Sequence, residues 1–198
     1  MRHTLTTRGL LFLCVLLLPW ASAHAQWELD AQRSSINFVS IKNDAIGELH
    51  SFGSLLGFIS ADGGVQVSVD LNSVQTLIDI RNERMRELLF ETVKFPTATV
   101  TAQIEPALLA AAAEGGTVSA EVPVRLSLHG LEGKLTVPLV AVGEQGGPLQ
   151  VFSARPVLLN AADFGLAAGI EALREIAGLR AISNAIPITV HLVFSPAG

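Results

Sequence analysis

Residues 70–102 read DLNSVQTLIDIRNERMRELLFETVKFPTATVTA, and the fold turns on the two changes of period inside this stretch. It opens as the end of a strand and steps through polar Ser73-Val74-Gln75-Thr76. From residue 80 to 90, Met85, Leu88 and Leu89 recur three and four apart, with Arg84, Arg86, Glu87 and, just beyond, Glu91 at the remaining positions. That spacing predicts a short amphipathic helix. Pro96 forbids its continuation and biases Phe95 to an extended backbone. Thr97, Thr99 and Thr101 then alternate with Ala98, Val100 and Ala102, as on a strand with two unlike faces.

The same alternation runs outward in both directions. Val65, Val67, Val69 and Leu71 alternate with Gln66, Ser68 and Asp70, so the valine side faces inward. Residues 52–60 precede them as a strand, joined across Ala61-Asp62-Gly63-Gly64, a strong hairpin signal. Residues 27–40 read as two extended segments, with Trp27 and Leu29 on one face, and Ile36 and Phe38 after a turn at residues 31–34. Downstream, Val118, Ala120, Val122, Val124, Leu126 and Leu128 form one apolar row, and Ile186, Ile188, Val190, Leu192 and Phe194 another. Residues 135–142 and 149–159 are apolar at both parities, which leaves their inner face unassigned. Pro106 and the following leucines and alanines suit a short helix stopped by Gly115-Gly116, or a loop. A further helix has Ile170, Leu173 and Ala177 on one side and ends at Gly178. These elements predict a mainly β fold: an antiparallel barrel of about eight strands with two or three short helices, large enough for one ligand.

The chain opens with Arg2 and Arg8, an apolar run over residues 9–18, and Ala23-His24-Ala25. This is the pattern of a secretory signal peptide cleaved after Ala25, too short in its apolar run to stay in a bilayer as a stable anchor. Residues 26–198 are then one domain in the periplasm or outside the cell. Cys14 follows the bulky Leu13 within that run, which argues against lipidation, and the mature part has no cysteine for a disulfide. Losing Arg2 and Arg8 leaves 11 basic residues against 18 acidic ones, a formal net charge of −7. Such a chain is a poor partner for nucleic acid and for broad adsorption to anionic membranes.

Chemistry-bearing motifs are sparse. His50, His129 and His191 share no metal-ligand spacing, so no metal site is expected. The chain has no nucleophile elbow, HExxH helix or phosphate-cradling glycine loop. A triad assembled from His129, Asp163 and a serine is the one catalytic arrangement left open, and no catalytic residue is assigned. Arg81 and Arg84 are candidates for a lipid head group, since guanidinium matches phosphate oxygens. Pairing of Arg84 with Glu87 or Glu91 on an exposed face is the alternative. Phe38, Phe52, Phe58, Phe90, Phe95 and Phe164 fill a core by default.

Taken together, SVQT, IRNERMRELLF and VKFPTATV, followed by VRLSLHGLEGKLTVPL and NAADFGLAAGIEALREIAGL, resemble the YceI-like family of polyisoprenoid-binding proteins in order and spacing. One departure is Arg33-Ser34 at a turn where the family often has His-Ser. The resemblance implies a lipocalin-like barrel, no enzyme activity, and no cofactor other than a bound isoprenoid lipid or quinone. It makes the six phenylalanines, with Val67, Val69, Val124, Leu126, Leu173 and Val190, candidates for the wall around an apolar guest. The rivals are an enzyme acting on a lipid-like substrate and a ligand-free structural or chaperone-like barrel.

Overall fold

The computed structural model describes residues 25–197, so the signal-peptide reading lies outside it except at Ala25. Among the described residues, twelve strand segments form one antiparallel sheet that closes on itself. β1 (Ala25–Leu29) and β2 (Ser35–Lys42) do not pair with each other. They lie end to end along one edge of β12 (Ala185–Pro196), Leu29 opposite Phe194 and Ile36 opposite Val190. Asp30 makes the bend between them by accepting from the Gln32 and Arg33 amides, and the Val193 amide donates to Ser34 Oγ at 2.9 Å.

The next layer repeats the arrangement. β3 (Ile46–Phe52) pairs with β2, and β4 (Leu55–Ser60) pairs with β1. β5 (Gly64–Asp70) and the two-residue β6 (Val74–Gln75) continue the sheet against β4 and β3. β7 (Thr97–Gln103), β8 (Thr117–Leu128), β9 (Leu131–Gly143) and β10 (Leu149–Ser153) follow in order. β10 and β11 (Val157–Asn160) share the other edge of β12. Joined end to end, the twelve segments are eight runs of chain, each bonded to its sequence neighbours, with β12 returning to β1. Closure leaves the ring itself without a free edge.

Register also settles the faces that alternation left open. Val124 lies opposite Leu135 and Val122 opposite Val137, so the odd residues of β9 join the even residues of β8 on the inner face. In the β4–β5 hairpin Gly63 sits at φ +90, and a Cβ there would lie 2.0 Å from the Ile104 carbonyl oxygen. Only glycine meets both demands.

Helices lie over both ends of the ring, and at the end beside the first helix the cavity stays open to solvent between that helix, the β2–β3 hairpin tip and residues 176–182. α2 (Pro106–Ala113) covers one end, burying Leu109 and Ala112, so the proline-led segment is a helix rather than a loop. At the other end α1 (Asp79–Arg84) widens into a π-turn at Met85–Leu89, with the Phe90 amide donating to the Met85 carbonyl at 2.9 Å. This extra residue per turn buries Met85, Leu89 and Phe90, and Leu88 is only half-buried, where a regular helix would have enlisted it. α3 (Ala167–Ile176) rests on the π-turn through Gly169.

That contact gives a test in which two effects have opposite sign. Alanine is ordinarily the better helix former by about 1 kcal/mol. A Cβ at Gly169, however, would stand 2.4 Å from the Leu88 carbonyl oxygen and 2.7 Å from Leu89 Cα, both backbone atoms that cannot rotate away. Gly169→Ala is therefore expected to destabilise by about 1 to 3 kcal/mol in urea melts. Equal or raised stability would show that α3 is not seated on the π-turn.

Candidate functional site

Inside the ring lies a cavity of about 810 Å³, within the usual range for small-molecule sites. Its wall is the inward row of each strand: Val65, Val67 and Val69 of β5, Ala98, Val100 and Ala102 of β7, and the even residues of β8 from Val118 to Leu128. Leu135, Val137, Leu139 and Ala141 of β9 and Ile186 to Phe194 of β12, at every second residue, complete it. Met85, Leu89 and Phe90 line it at the α1 end, and Leu109 and Ala112 at the far end. Valine and alanine are too short to meet across an eight-stranded ring, so the middle stays hollow.

Near the α1 end the wall changes character. Phe38 and Phe52 lie with ring centroids 5.3 Å apart, and Phe52 and Phe90 6.0 Å apart. Beyond them the inner face turns polar: Ser40 and Lys42 follow Phe38 on β2, and His50 and Glu48 follow Phe52 on β3. Glu48 pairs with Lys42 at 2.8 Å and with Arg81 at 2.5 Å, and the other guanidinium arm of Arg81 donates to the Thr76 carbonyl. Burial raises the Glu48 carboxyl, but the Lys42 hydrogen bond and the two cations pull harder, and the net effect holds it below its ordinary 4.5. His50 is 3% exposed, and its Nε2 lies 2.8 Å from Ser40 Oγ. Burial, with help from the Arg81 and Lys42 charges, lowers it from 6.5, which keeps the imidazole neutral at neutral pH. His50 Nδ1 and Arg81 Nε are buried without a protein partner.

Nine of the twelve residues proposed for the wall lie on it: Phe38, Phe52, Val67, Val69, Phe90, Val124, Leu126, Leu173 and Val190. Three do not. Phe58 has the wrong parity, being paired with Gln66 on the outer face, and is 38% exposed. Phe95 packs outside against His129, centroids 4.5 Å apart. Phe164 is buried on the inner side of the sheet, in the core with Leu126 and Leu128, but does not line the cavity: its ring fills the space that a side chain at Gly133 would take. Arg81 and Arg84 both reach the cavity. Glu91, a proposed partner of Arg84, instead holds Lys94 at 2.6 Å.

The residues that pattern reading passed over are Ser40, Lys42, Glu48 and His50. A two-residue step from Phe38, carried across the hairpin, reaches all four. β3 escaped notice because its alternate residues are polar on the inside, the reverse of the usual signal. The triad fares differently: the carboxylate nearest His129 is Glu91, at 3.4 Å, and Asp163 accepts instead from Asn160. The bonded serine–histidine pair is Ser40–His50, whose free Nδ1 lacks the carboxylate that would orient a catalytic imidazole. Among the described residues no three His, Cys, Asp or Glu side chains gather to hold a metal, and no helix is long and apolar enough to cross a membrane.

Residues 27–194 match the family model described as the YceI-like domain. A solved polyisoprenoid binding domain from Saccharophagus degradans, implicated in plant cell wall breakdown, is 40% identical over 88% of this chain and 100% of its own, with a TM-score of 0.85. BcnA of Burkholderia cenocepacia shares the fold at 19% identity and TM-score 0.63, over 83% of this chain and 98% of its own. The Campylobacter jejuni YceI protein does so at 16% and 0.54, over 75% and 85%. No curated protein matches the chain.

The polar end sets an acid response. Both His50 and Glu48 have folded-state pKa values below their ordinary ones, so as pH falls the unfolded chain takes up each proton first. Their contributions to stability are complete above the ordinary values and are lost on acidification, His50 from about pH 6.5 downward and Glu48 from about pH 4.5 downward. Urea melts at a series of pH values should show His50→Gln removing part of the upper decline and Glu48→Gln part of the lower. Unchanged profiles in both variants would mean that neither group is held as described.

Proposed function

The chain belongs to the YceI-like domain family, and from that premise we propose that it holds one long isoprenoid lipid or isoprenoid quinone, tail in the cavity and head at the polar end, as a carrier in the periplasm. The observation that carries this reading is a hollow of about 810 Å³ with an aliphatic wall and charged groups confined to particular places along it. The relative from Saccharophagus degradans, a polyisoprenoid binding domain by its own description, supports the choice of guest.

The physical division of labour follows from the wall. Each prenyl unit moved out of water contributes roughly 2 to 4 kcal/mol, at about 0.8 kcal/mol per carbon, so several units exceed the cost of ordering the tail. Affinity then comes from the tail, and selection among lipids from the head. Glu48 already occupies Lys42 and Arg81, so these cations are not a free phosphate clamp. Arg84, the unpartnered Nδ1 of His50 and the unpartnered Nε of Arg81 are the groups left to meet a head-group oxygen.

Solvent extraction of freshly purified protein followed by mass spectrometry is expected to yield one prenyl lipid per chain; repeated absence of any stoichiometric lipid would refute the proposal. Val69→Trp and Leu126→Trp, both on the wall, should lower that occupancy while destabilising the fold by about 1 to 3 kcal/mol. Full occupancy in two stably folded tryptophan variants would place the guest elsewhere.

A further inference from the structure

Around the polar end the surface is unexpectedly oily. Leu77 is 93% exposed, Ile46 51%, Ile80 51%, Ile176 51% and Ile78 48%. The contacts place Ile46, Leu77 and Ile176 round one opening, and Ile78 and Ile80 adjoin Leu77 in the chain. Ile46 lies opposite Lys42 at the tip of the β2–β3 hairpin, Lys42 bridges to Ile182, and Arg81 ties Glu48 to the Thr76 carbonyl next to Leu77. Ile176 is both part of the cavity wall and half exposed, so the apolar lining runs out through the opening onto the surface.

Leu77 is the sharpest point of this collar. Its φ of +62 lies in the left-handed region, which is strained for a leucine, and its side chain gains almost no burial in return. The turn is nevertheless firmly held. Buried Asn82 accepts from the Thr76 amide at 2.8 Å and from its hydroxyl at 2.7 Å. The fold thus fixes an apolar side chain pointing into water beside the mouth of an apolar cavity.

Resting on the function proposed above, we infer that this collar inserts into the surface of a lipid bilayer, so that the guest passes between membrane and cavity without crossing water. A bilayer is the occupant the features fit: it is where a prenyl lipid resides, and it accepts aliphatic side chains at the depth of the acyl boundary. A protein seated on the collar would instead stopper the opening. The charges beside it nearly cancel: Lys42, Arg81, Arg84 and Arg180 stand against Glu48, Asp44 and Asp79. Docking is therefore driven by apolar area and persists in high salt.

The test is flotation of the purified protein with vesicles of phosphatidylethanolamine and phosphatidylglycerol, in low and high salt, comparing the parent with Leu77→Asp and Leu77→Trp. Leu77→Asp should lower vesicle binding at least about tenfold and slow lipid uptake from vesicles to match, with loading from detergent micelles unchanged. In Leu77→Trp, tryptophan emission should shift to the blue on adding vesicles, against a constant background from buried Trp27. Parental binding by Leu77→Asp, binding abolished by salt, or a dimer that ignores vesicles would each overturn the inference. A chain that loads lipid from micelles but does not float leaves the cavity reading standing and defeats only the docking; one that floats through Leu77 but holds no lipid does the reverse.

Discussion

Everything in this molecule depends on the hydrogen bonds by which β1 returns to β12, Leu29 opposite Phe194 and Trp27 opposite Pro196. Closure turns the two-residue period of every strand into a property of one enclosed space. A residue of the right parity on any of eight runs faces the same interior, and one of the wrong parity faces water. Because the inward rows are mostly valine, alanine and leucine, the ring closes around more volume than its own side chains occupy. Strand sterics, rather than any single residue, produce the hollow.

The polar end is the costly part of the interior and is built accordingly. Lys42, Glu48 and Arg81 keep side-chain exposures of 22 to 29%, so their charges stay partly hydrated near the opening. Placing one carboxylate between two cations offsets much of the desolvation that a lone charge would suffer there. His50, deeper and neutral, marks the transition from this wet end to the aromatic and aliphatic wall. The gradient lets a single cavity treat the two halves of an amphiphile differently.

Much of this was legible from the chain. The inward rows of β5, β7, β8 and β12 follow from simple alternation, and the break at Pro96 and the stops at Gly115-Gly116 and Gly178 fall where backbone chemistry puts them. Phe58 falls outside because parity overrides its aromatic character, and Phe164, though inside, fills core space over Gly133 rather than facing the hollow, which no local pattern distinguishes. Leu88 yielded to Phe90 because the π-turn changes the period mid-helix, and that widening reflects packing on the sheet rather than helix propensity.

By itself, then, the sequence determined that the chain forms alternating strands with an aliphatic face, two or three short helices, and an amphipathic crossing before Pro96. These are local consequences of side-chain period, proline and glycine. Only the tertiary structure decided which strands abut, hence the inner face of β9, the meeting of Glu48 with Arg81 across 33 residues, and the exposure of Leu77 at the mouth. Those depend on long-range register and on how the ring closes, and register is a relation between distant segments that no single segment encodes.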